Sequence, residues 1–481
     1  MTIRLGDLLS GHARLMAGDG AVPIVGITAD SRKVGPGSLF VAIPGTKADG
    51  ARFIPQAVAQ GAAAILTEPL GEMPQVAIPV AFSLNVRRSL ALAAARLHPR
   101  QPAKVAAVTG TAGKTSVAFF LRHILEQLGH RAAYLGTLGL VAPGESTYGG
   151  LTSPDPVDLH ATLDRLAGEE VTHMALEASS HGLDQFRLDG VRLSAGGFTN
   201  LGRDHLDYHP SVEAYFHAKL RLFTDVLPET APAVALTRAP YGNTTLAYAR
   251  TRGLPILAIG PGGDIDVEAV RAAGVGQVVR LAGGREITVP LVGSFQADNA
   301  LLAAGLAIAC GEDRDAALGA MAHLPGVPGR MERVGSDPGR LVFVDYAHKP
   351  EALQAVLDTL RPAVSGRLIA LFGCGGDRDR GKRPLMGAIA AERADIVIVT
   401  DDNPRSEEPA AIRAEILAAA PGAREIGDRA EAIDAAVAML QPGDALVVAG
   451  KGHETGQIIG DRTLPFSDAA AILAAMGRQG S

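Results

Sequence analysis

Residues 103–128 read AKVAAVTGTAGKTSVAFFLRHILEQL. Ala103 to Thr109 is a short apolar run bounded by a glycine turn, the pattern of a buried strand. Val117, Phe120, Leu121, Ile124 and Leu128 then recur at helical spacing. A turn made of Gly110, Thr111, Ala112, Gly113, Lys114, Thr115 and Ser116 therefore joins a strand to a helix N-terminus. That geometry aims backbone N–H groups and the positive helix end at one spot, which suits a phosphate. Lys114 adds a mobile cation and Thr115 a hydroxyl able to hold Mg²⁺. The general phosphate-loop pattern asks for glycine at 108, where Val108 stands, so the match is incomplete.

Working outward, 481 residues exceed one hydrophobic core and suggest about three domains. Hydrophobic residues make up 47% and charged residues 20%, which excludes a disordered chain. A net charge of −6 supplies no basic field for nucleic acid, so an anionic substrate must be held by local groups. Two cysteines, Cys310 and Cys374, make no disulfide framework. No signal peptide opens the chain and no uncharged run is long enough to span a bilayer. The expectation is a cytoplasmic protein, free of nucleic acid and not inserted in a membrane.

Three blocks follow. Residues 1–102 form a small α/β domain that ends in the linker His98-Pro99-Arg100-Gln101-Pro102. Its polar stretch Asp30-Ser31-Arg32 can hydrogen-bond a ligand, although alone it reads more readily as a solvated loop. Residues 103–330 form the central domain, with a mostly parallel sheet. A Gly-rich loop follows Thr137 and ends in Leu151-Thr152-Ser153-Pro154. One strand delivers Glu177 at its carboxyl end, where ligands of open α/β sheets bind. Another, near 194–199, delivers Arg203-Asp204-His205-Leu206-Asp207-Tyr208-His209, a histidine between aspartates. By itself that stretch is also a plausible charged capping loop. Lys219 sits on a helix and would pass for a surface lysine. Asn299 stands near the start of an apolar helix, and Pro325–Glu332 reads as the second linker.

Residues 331–481 alternate strand and helix, a Rossmann-like layer. Apolar strands at 341–344, 368–372, 396–400 and 445–449 are each followed by a polar cluster. These are Asp345-Tyr346-Ala347-His348, Gly373 to Arg380, Asp401-Asp402-Asn403-Pro404-Arg405 and Gly450-Lys451-Gly452-His453-Glu454. Four such ends in parallel register predict one functional rim.

Together these motifs resemble the Mur ligase family over nearly the whole chain. The residues carrying the resemblance are Thr109–Thr115, Glu177-Ala178-Ser179-Ser180-His181-Gly182-Leu183, Arg203–His209, Asp345–His348 and Gly450–Glu454. Asp402-Asn403-Pro404-Arg405 resembles the members that add diaminopimelate. The resemblance implies an ATP-dependent, ADP-forming ligase of peptidoglycan precursor synthesis. Its substrates would be UDP-N-acetylmuramoyl-L-alanyl-D-glutamate and meso-diaminopimelate, joined through an acyl phosphate. By the same resemblance, Lys114 and the loop amides bind ATP phosphates. Thr115 and Glu177 hold one Mg²⁺, and His205 serves a second together with Lys219 as its carbamate. Asn299, Arg330, Asp345 and His348 belong to the ATP site. Ser31, Thr152, Ser153, Ser179, Gln185 and Arg187 belong to the nucleotide-sugar peptide site. Arg378, Asp402, Asn403, Arg405, Gly450 and Glu454 belong to the diaminopimelate pocket. The implied enzyme is a monomer.

Three positions depart from the family pattern: Ala112 where asparagine is usual, Lys349 where threonine is usual, and Pro210 where glycine is common. Other readings are a lysine-adding member of the family, folylpolyglutamate synthase, or a nucleotide-switched scaffold with no ligatable substrate. Asp-Asn-Pro-Arg and Asp-Ser-Arg argue against the first two, and Lys114, Glu177, His205 and Lys219 together argue against the third.

Overall fold

A computed structural model describes residues 2–45, 49–69, 75–147, 149–335 and 339–479. The chain divides into two compact units. One holds Met1–Glu268, Leu281–Gly283 and Asp298–Met321; the other holds Ala269–Arg280, Gly284–Ala297 and Ala322–Ser481.

The first unit contains two main sheets. The five-stranded one has the order Arg14–Ala17, Val80–Phe82, Ala64–Thr67, Ser38–Ala42, Gly26–Thr28, parallel except for the first pair. Its core gathers Leu39, Val41, Leu66 and Ala81 against Leu90, Ala94 and Leu97 of the helix Val86–Leu97. A short helix, Ile54–Ala59, follows the strand Ser38–Ala42.

The eight-stranded sheet places Lys104–Thr109 at its centre, between His173–Glu177 and Ala195–Phe198. All three run parallel, with Glu177 opposite Val108 and Phe198 opposite Thr109. Val105 to Thr109 is buried throughout, as a strand covered on both faces must be. Because the three strands end level, Gly110, Ala178 and Thr199 leave the sheet side by side. The helix Lys114–Gln127 buries Val117, Phe120, Leu121 and Ile124, and Leu128 caps it.

The stretch after Thr137, expected as a loop, instead pairs as an antiparallel hairpin, Gly139–Ala142 with Glu145–Thr147. Pro143-Gly144 makes the turn, and Leu140 and Ala142 face the core. Flanking glycines hid this short strand pair. A three-stranded sheet over Val267–Ala273, Gly276–Leu281 and Glu286–Val289 was likewise not foreseen. Its first strand buries only Val267 and so shows little apolar alternation.

The second unit carries a six-stranded sheet in the order Glu332–Arg333, Leu341–Asp345, Ala445–Ala449, Leu368–Phe372, Ile396–Val399, Arg424–Glu425. It is parallel apart from the first strand. The four expected apolar strands are its centre, so their polar carboxyl ends share one rim. Helices Pro350–Leu360, Lys382–Arg393, Pro409–Leu417 and Arg429–Ala438 alternate with them. After the last strand come a hairpin, Gly456–Ile459 with Arg462–Pro465, and a helix, Asp468–Gln479. No helix among the described residues is long and apolar enough to cross a membrane.

Candidate active site

The phosphate loop is held from the neighbouring strand end. Thr111 N donates to Asn200 O at 2.8 Å, Ala112 N to Asn200 Oδ1 at 3.1 Å, and Thr199 Oγ1 to Ala112 O at 2.6 Å. A side chain at Gly110 would collide with the Thr199 hydroxyl, and one at Gly113 with the Asn299 amide. Asn299 thus sits against the loop itself rather than capping its helix. The loop keeps its shape through backbone contacts, so alanine at 112 leaves the cradle intact.

Lys114 Nζ folds back onto the carbonyls of Gly110 and Thr111, both at 2.9 Å. Lys219 Nζ reaches the same Gly110 oxygen at 2.7 Å. Lys219 is no surface lysine: it is 1% exposed, with its ammonium 4.2 Å from the Tyr215 ring centre. Burial, reinforced by the Lys114 charge, pushes its pKa well below the usual lysine value, while Asp204 opposes the shift.

Glu177 ends its strand 2% exposed. One carboxylate oxygen accepts from the Tyr134 hydroxyl and from Thr137 N at 2.9 Å. The other accepts from Thr115 Oγ1 at 3.1 Å and Thr137 Oγ1 at 3.2 Å. A buried carboxylate beside a threonine hydroxyl is a hard oxygen set, which fits Mg²⁺. Asp204 and His205 form a second cluster, with His205 Nε2 3.8 Å from Asp204 Oδ2 and its ring 6.1 Å from that of Tyr215. His205 holds a positive φ of 52°. An ammonium at Lys219 fits a cation there poorly, whereas a carbamate would fit.

The peptide-side residues form a chain leading from Glu177. Thr137 Oγ1, bound to Glu177, also meets Thr152 Oγ1 at 3.1 Å. Ser153 Oγ donates to Glu177 O at 3.0 Å and meets Ser179 Oγ at 3.1 Å. Ser179 caps the short helix Ser180–Asp184 by accepting from Gly182 N. Arg187 donates to Ser153 O at 2.6 Å and to Gln185 Oε1 at 2.8 Å. Ser31 lines a separate cavity of about 1080 Å³, with Thr28, Lys33, Gln56, Asp155 and Asp158. Asp30 and Arg32, expected with Ser31 as a polar cluster, pair with each other at 2.8 Å. That pairing lowers the Asp30 pKa to about 2.

In the second unit, Asp345 spends both oxygens on backbone, accepting from Met331 N at 2.7 Å and Ala347 N at 2.8 Å. It thereby holds the turn that carries Arg330, whose guanidinium lies 4.7 Å from the Tyr346 ring centre. Arg330 Nε is buried with no hydrogen-bond partner among the described residues. His348 Nδ1 meets Tyr346 O at 2.8 Å, and Lys382 Nζ donates to His348 O at 2.8 Å.

On the rim, Asn403 is a scaffold. Its Oδ1 accepts from Lys451 Nζ at 2.8 Å and Ile458 N at 2.9 Å, and its Nδ2 donates to Glu454 Oε2 at 2.8 Å. Lys451 also donates to Glu454 Oε2 at 3.1 Å. Asp402 Oδ2 is buried without a partner among the described residues, close to Gly450. Burial pushes the Asp402 carboxyl up, against the pull of Arg429 and Lys451. Arg405, at φ 52°, is pinned by Arg405 N to Ile458 O at 3.1 Å and Gly460 N to Arg405 O at 2.7 Å. Its guanidinium donates to the carbonyls of Gly376 at 2.8 Å and Asn403 at 3.5 Å. Arg378 is exposed and donates to the carbonyl of Asp377.

Three family models match in succession. The Mur ligase family catalytic domain covers residues 23–103, the Mur ligase middle domain 108–307, and the Mur ligase glutamate ligase domain 329–452. The chain belongs to the Mur ligase family. UDP-N-acetylmuramoyl-L-alanyl-D-glutamate–2,6-diaminopimelate ligase of Bradyrhizobium diazoefficiens is 54% identical to this Mur ligase, covering 98% of the chain and 99% of the relative. The protein of the same name from Caulobacter vibrioides is 54% identical over 99% of each. A solved structure of a diaminopimelate ligase of that name superposes with a TM-score of 0.75 at 34% identity, covering 100% of both chains. The MurF ligase of Thermotoga maritima in complex with ADP shares the fold, with a TM-score of 0.59 at 20% identity.

Several residues that shape this Mur ligase's site carry no motif. Tyr134 and Thr137 fix Glu177, and Thr199 and Asn200 hold the phosphate loop. Arg383, fully buried, pairs with Glu407 at 2.8 Å and Glu415 at 3.0 Å beside the Arg405 loop. Arg429 pairs with Asp468 at 2.7 Å, both fully buried, and donates to Ala449 O and Asp401 O at two strand ends. A polar residue right after a strand end was the available signal for Thr137 and Asn200. None marked the two arginines, which look like surface residues near helix starts.

Proposed function

We propose that this Mur ligase uses ATP to join meso-2,6-diaminopimelate to the γ-carboxyl of the D-glutamate in UDP-N-acetylmuramoyl-L-alanyl-D-glutamate. Relatives of that name at 54% identity over nearly the full length support the reaction. The observation that carries the choice of amino acid is Arg405. Its guanidinium, on a pinned loop of the rim, meets only carbonyl oxygens at hydrogen-bond distance among the described residues. A second carboxylate, which diaminopimelate has and lysine lacks, is the partner such a fork suits.

Oxygen of a carboxylate is a poor leaving group, and phosphorylation converts it to a good one. The γ-carboxylate attacks the γ-phosphorus of ATP, the bond to ADP breaks, and an acyl phosphate forms. The diaminopimelate amine then attacks the acyl carbon and loses its proton. The C–O bond to phosphate breaks, leaving an amide and inorganic phosphate. Lys114 and the amides at the start of its helix, Gly113 to Ser116, would bind and orient the phosphates, so catalysis rests on positioning and charge neutralisation. Thr137, bonded to both Glu177 and Thr152, links the phosphate side to the peptide side.

Thr115 and Glu177 would hold one Mg²⁺, and His205 with carbamylated Lys219 a second, supplying charge neutralisation at the phosphates. Asn299, Arg330 and His348 would take the adenosine part of ATP. Ser31 and its cavity would take the uridine diphosphate end, with Thr152, Gln185 and Arg187 nearer the peptide. Arg378, Asp402, Glu454 and Gly450 would complete the diaminopimelate pocket, while Asn403 positions Glu454. The functional division is 1–102, 103–330 and 331–481, in line with the bounds of the three family matches. The enzyme would work as a cytoplasmic monomer.

The test is phosphate release with the dipeptide nucleotide plus either diaminopimelate or L-lysine. Release requiring both nucleotide and diaminopimelate is expected. Equal use of the two amino acids would overturn the substrate assignment, and release independent of the nucleotide would overturn the ligase reading.

A further inference from the structure

At the opposite end of the strand that delivers Glu177, three metal-ligating side chains from separate elements converge. His173 opens that strand, His130 follows the phosphate-loop helix, and Glu312 follows the helix Ser294–Ala309. One donor atom from each lies within 4.8 Å of the others. His130 Nε2 is 2.9 Å from Glu312 Oε2, and His173 Nε2 is 3.5 Å from Glu312 Oε1. The two imidazole rings lie 4.0 Å apart, tilted by 37°. Tetrahedral donors on bonds of about 2.0–2.2 Å stand roughly 3.3–3.5 Å from one another, so small side-chain adjustments suffice.

The backbone of each donor is fixed. Both helices end in a glycine of positive φ, Gly129 at 89° and Gly311 at 108°. The next residue then donates back five positions, His130 N to Leu125 O at 3.0 Å and Glu312 N to Ala307 O at 3.1 Å. His173 is fixed by its place in the parallel ladder, opposite Ala132 and Lys104.

The outer ring nitrogen of His173 is supported too: Thr172 Oγ1 lies 2.9 Å from His173 Nδ1 and 3.3 Å from Arg131 O. In the tautomer with the proton on Nδ1, Thr172 bridges His173 and Arg131 O, and the Nε2 lone pair faces the Glu312 carboxylate. A cation seated among the three donor atoms would be met by all of them at once. An outer hydrogen bond on the far ring nitrogen is the usual support of a metal-bound imidazole.

We propose that His130 Nε2, His173 Nε2 and the Glu312 carboxylate bind one divalent transition metal of the Zn²⁺ class, with water as a fourth ligand. Two imidazoles and a carboxylate suit Zn²⁺ far better than Mg²⁺ or Ca²⁺. Buried Cys310 is not among the converging donors. Lys104, opposite His173 in the ladder, is exposed to water. Four strand steps separate His173 from Glu177, about 13 Å at the usual rise, so the metal has no part in the chemistry. It would clamp the distal ends of two helices whose near ends carry Lys114 and Asn299 at the phosphate loop.

The test uses chelator-stripped full-length protein titrated with Zn²⁺ alone, with excess Mg²⁺ occupying hard oxygen sites. Wild type, Glu312→Gln and His130→Ala are compared by calorimetry and elemental analysis. Wild type is expected to bind one Zn²⁺ that each variant binds at least about 10-fold more weakly. Ligation turnover is expected to be the same in all three. Equal Zn²⁺ affinity across them would overturn the proposal. Should the variants misfold, X-ray absorption of the Zn²⁺-loaded wild type decides. Scattering from two imidazoles at about 2.0–2.1 Å is expected, and its absence refutes the site.

Discussion

Lys219 Nζ donates to the carbonyl oxygen of Gly110 at 2.7 Å, the oxygen that Lys114 Nζ holds at 2.9 Å. Two ammonium groups thus share one acceptor beneath a loop built for anions. A buried lysine beside another cation favours its neutral form. A neutral amine is the nucleophile that takes up carbon dioxide, and the resulting carbamate replaces a repulsive charge with an anion. The same burial that disfavours the ammonium would favour the proposed carbamate.

Lys219→Ala is expected to lose about 10²-fold or more in turnover, the scale of a removed electrostatic contact at a reacting centre. Added bicarbonate will not restore it, whereas acetate or formate, able to place an anion in the vacated space, will restore part. Because the Lys219 pKa is lowered, the amine is neutral at pH values where an ordinary lysine is charged. A carbamate signal should therefore survive at neutral pH in wild type labelled with ¹³C-bicarbonate and vanish in the variant. Normal turnover by Lys219→Ala would return the residue to a structural role.

Asn200 tests the account of Ala112. Its side chain accepts from Ala112 N at 3.1 Å and donates to Ala112 O at 3.4 Å. Asn200→Ala removes both while leaving Thr199 and the ladder in place. At about 1 kcal/mol net per hydrogen bond, the two lost bonds amount to about 2 kcal/mol, so the KM for ATP should rise by roughly 30-fold, with kcat little changed. Steady-state kinetics varying ATP alone checks this, and an unchanged KM would mean that the loop is held without Asn200.

Much of this was legible before any coordinates. Apolar runs bounded by glycines gave the central strands of both large sheets, since doubly covered strands need no alternation. Polar clusters after four such runs gave the rim. The chain alone could not show what lies across from a residue. Asn403 and Ser153 read as ligand-binding residues, and the structure adds that their polar atoms also meet Lys451, Glu454, Glu177 and Ser179. The hairpin Gly456–Ile459 with Arg462–Pro465 is short and largely exposed, too weak a pattern to read, although it pins Arg405.

Arg429 and Asp468 illustrate the same limit and give a stability prediction. The pair is fully buried, and Arg429 also ties the ends of two rim strands through Ala449 O and Asp401 O. Asp468→Ala leaves a buried, unpaired guanidinium and should cost about 3–5 kcal/mol in urea unfolding. Replacing both, as Arg429→Met with Asp468→Leu, should recover much of that, because the desolvation penalty goes with the charges. The double variant should still show a raised KM for diaminopimelate, since the two carbonyl ties are lost.

Arg405 decides the amino-acid substrate. Its backbone takes a left-handed φ of 52°, a conformation that costs a non-glycine residue of order 1 kcal/mol. The loop pays that strain while the guanidinium rests on two carbonyls and finds no carboxylate among the described residues. Arg405→Gly relieves the strain, so the variant should fold at least as well as wild type, yet it removes the fork. Diaminopimelate use should fall by about 10²-fold or more, the scale of a lost charge-assisted pair. The KM for the dipeptide nucleotide should not move. Arg405→Lys keeps the charge without the planar fork and should fall between the two. Lysine should remain a poor substrate for wild type, because it would leave the guanidinium desolvated and unpaired. If Arg405→Gly used diaminopimelate as well as wild type, the arginine would be a loop residue, and the distal carboxylate would have to be held elsewhere on the rim.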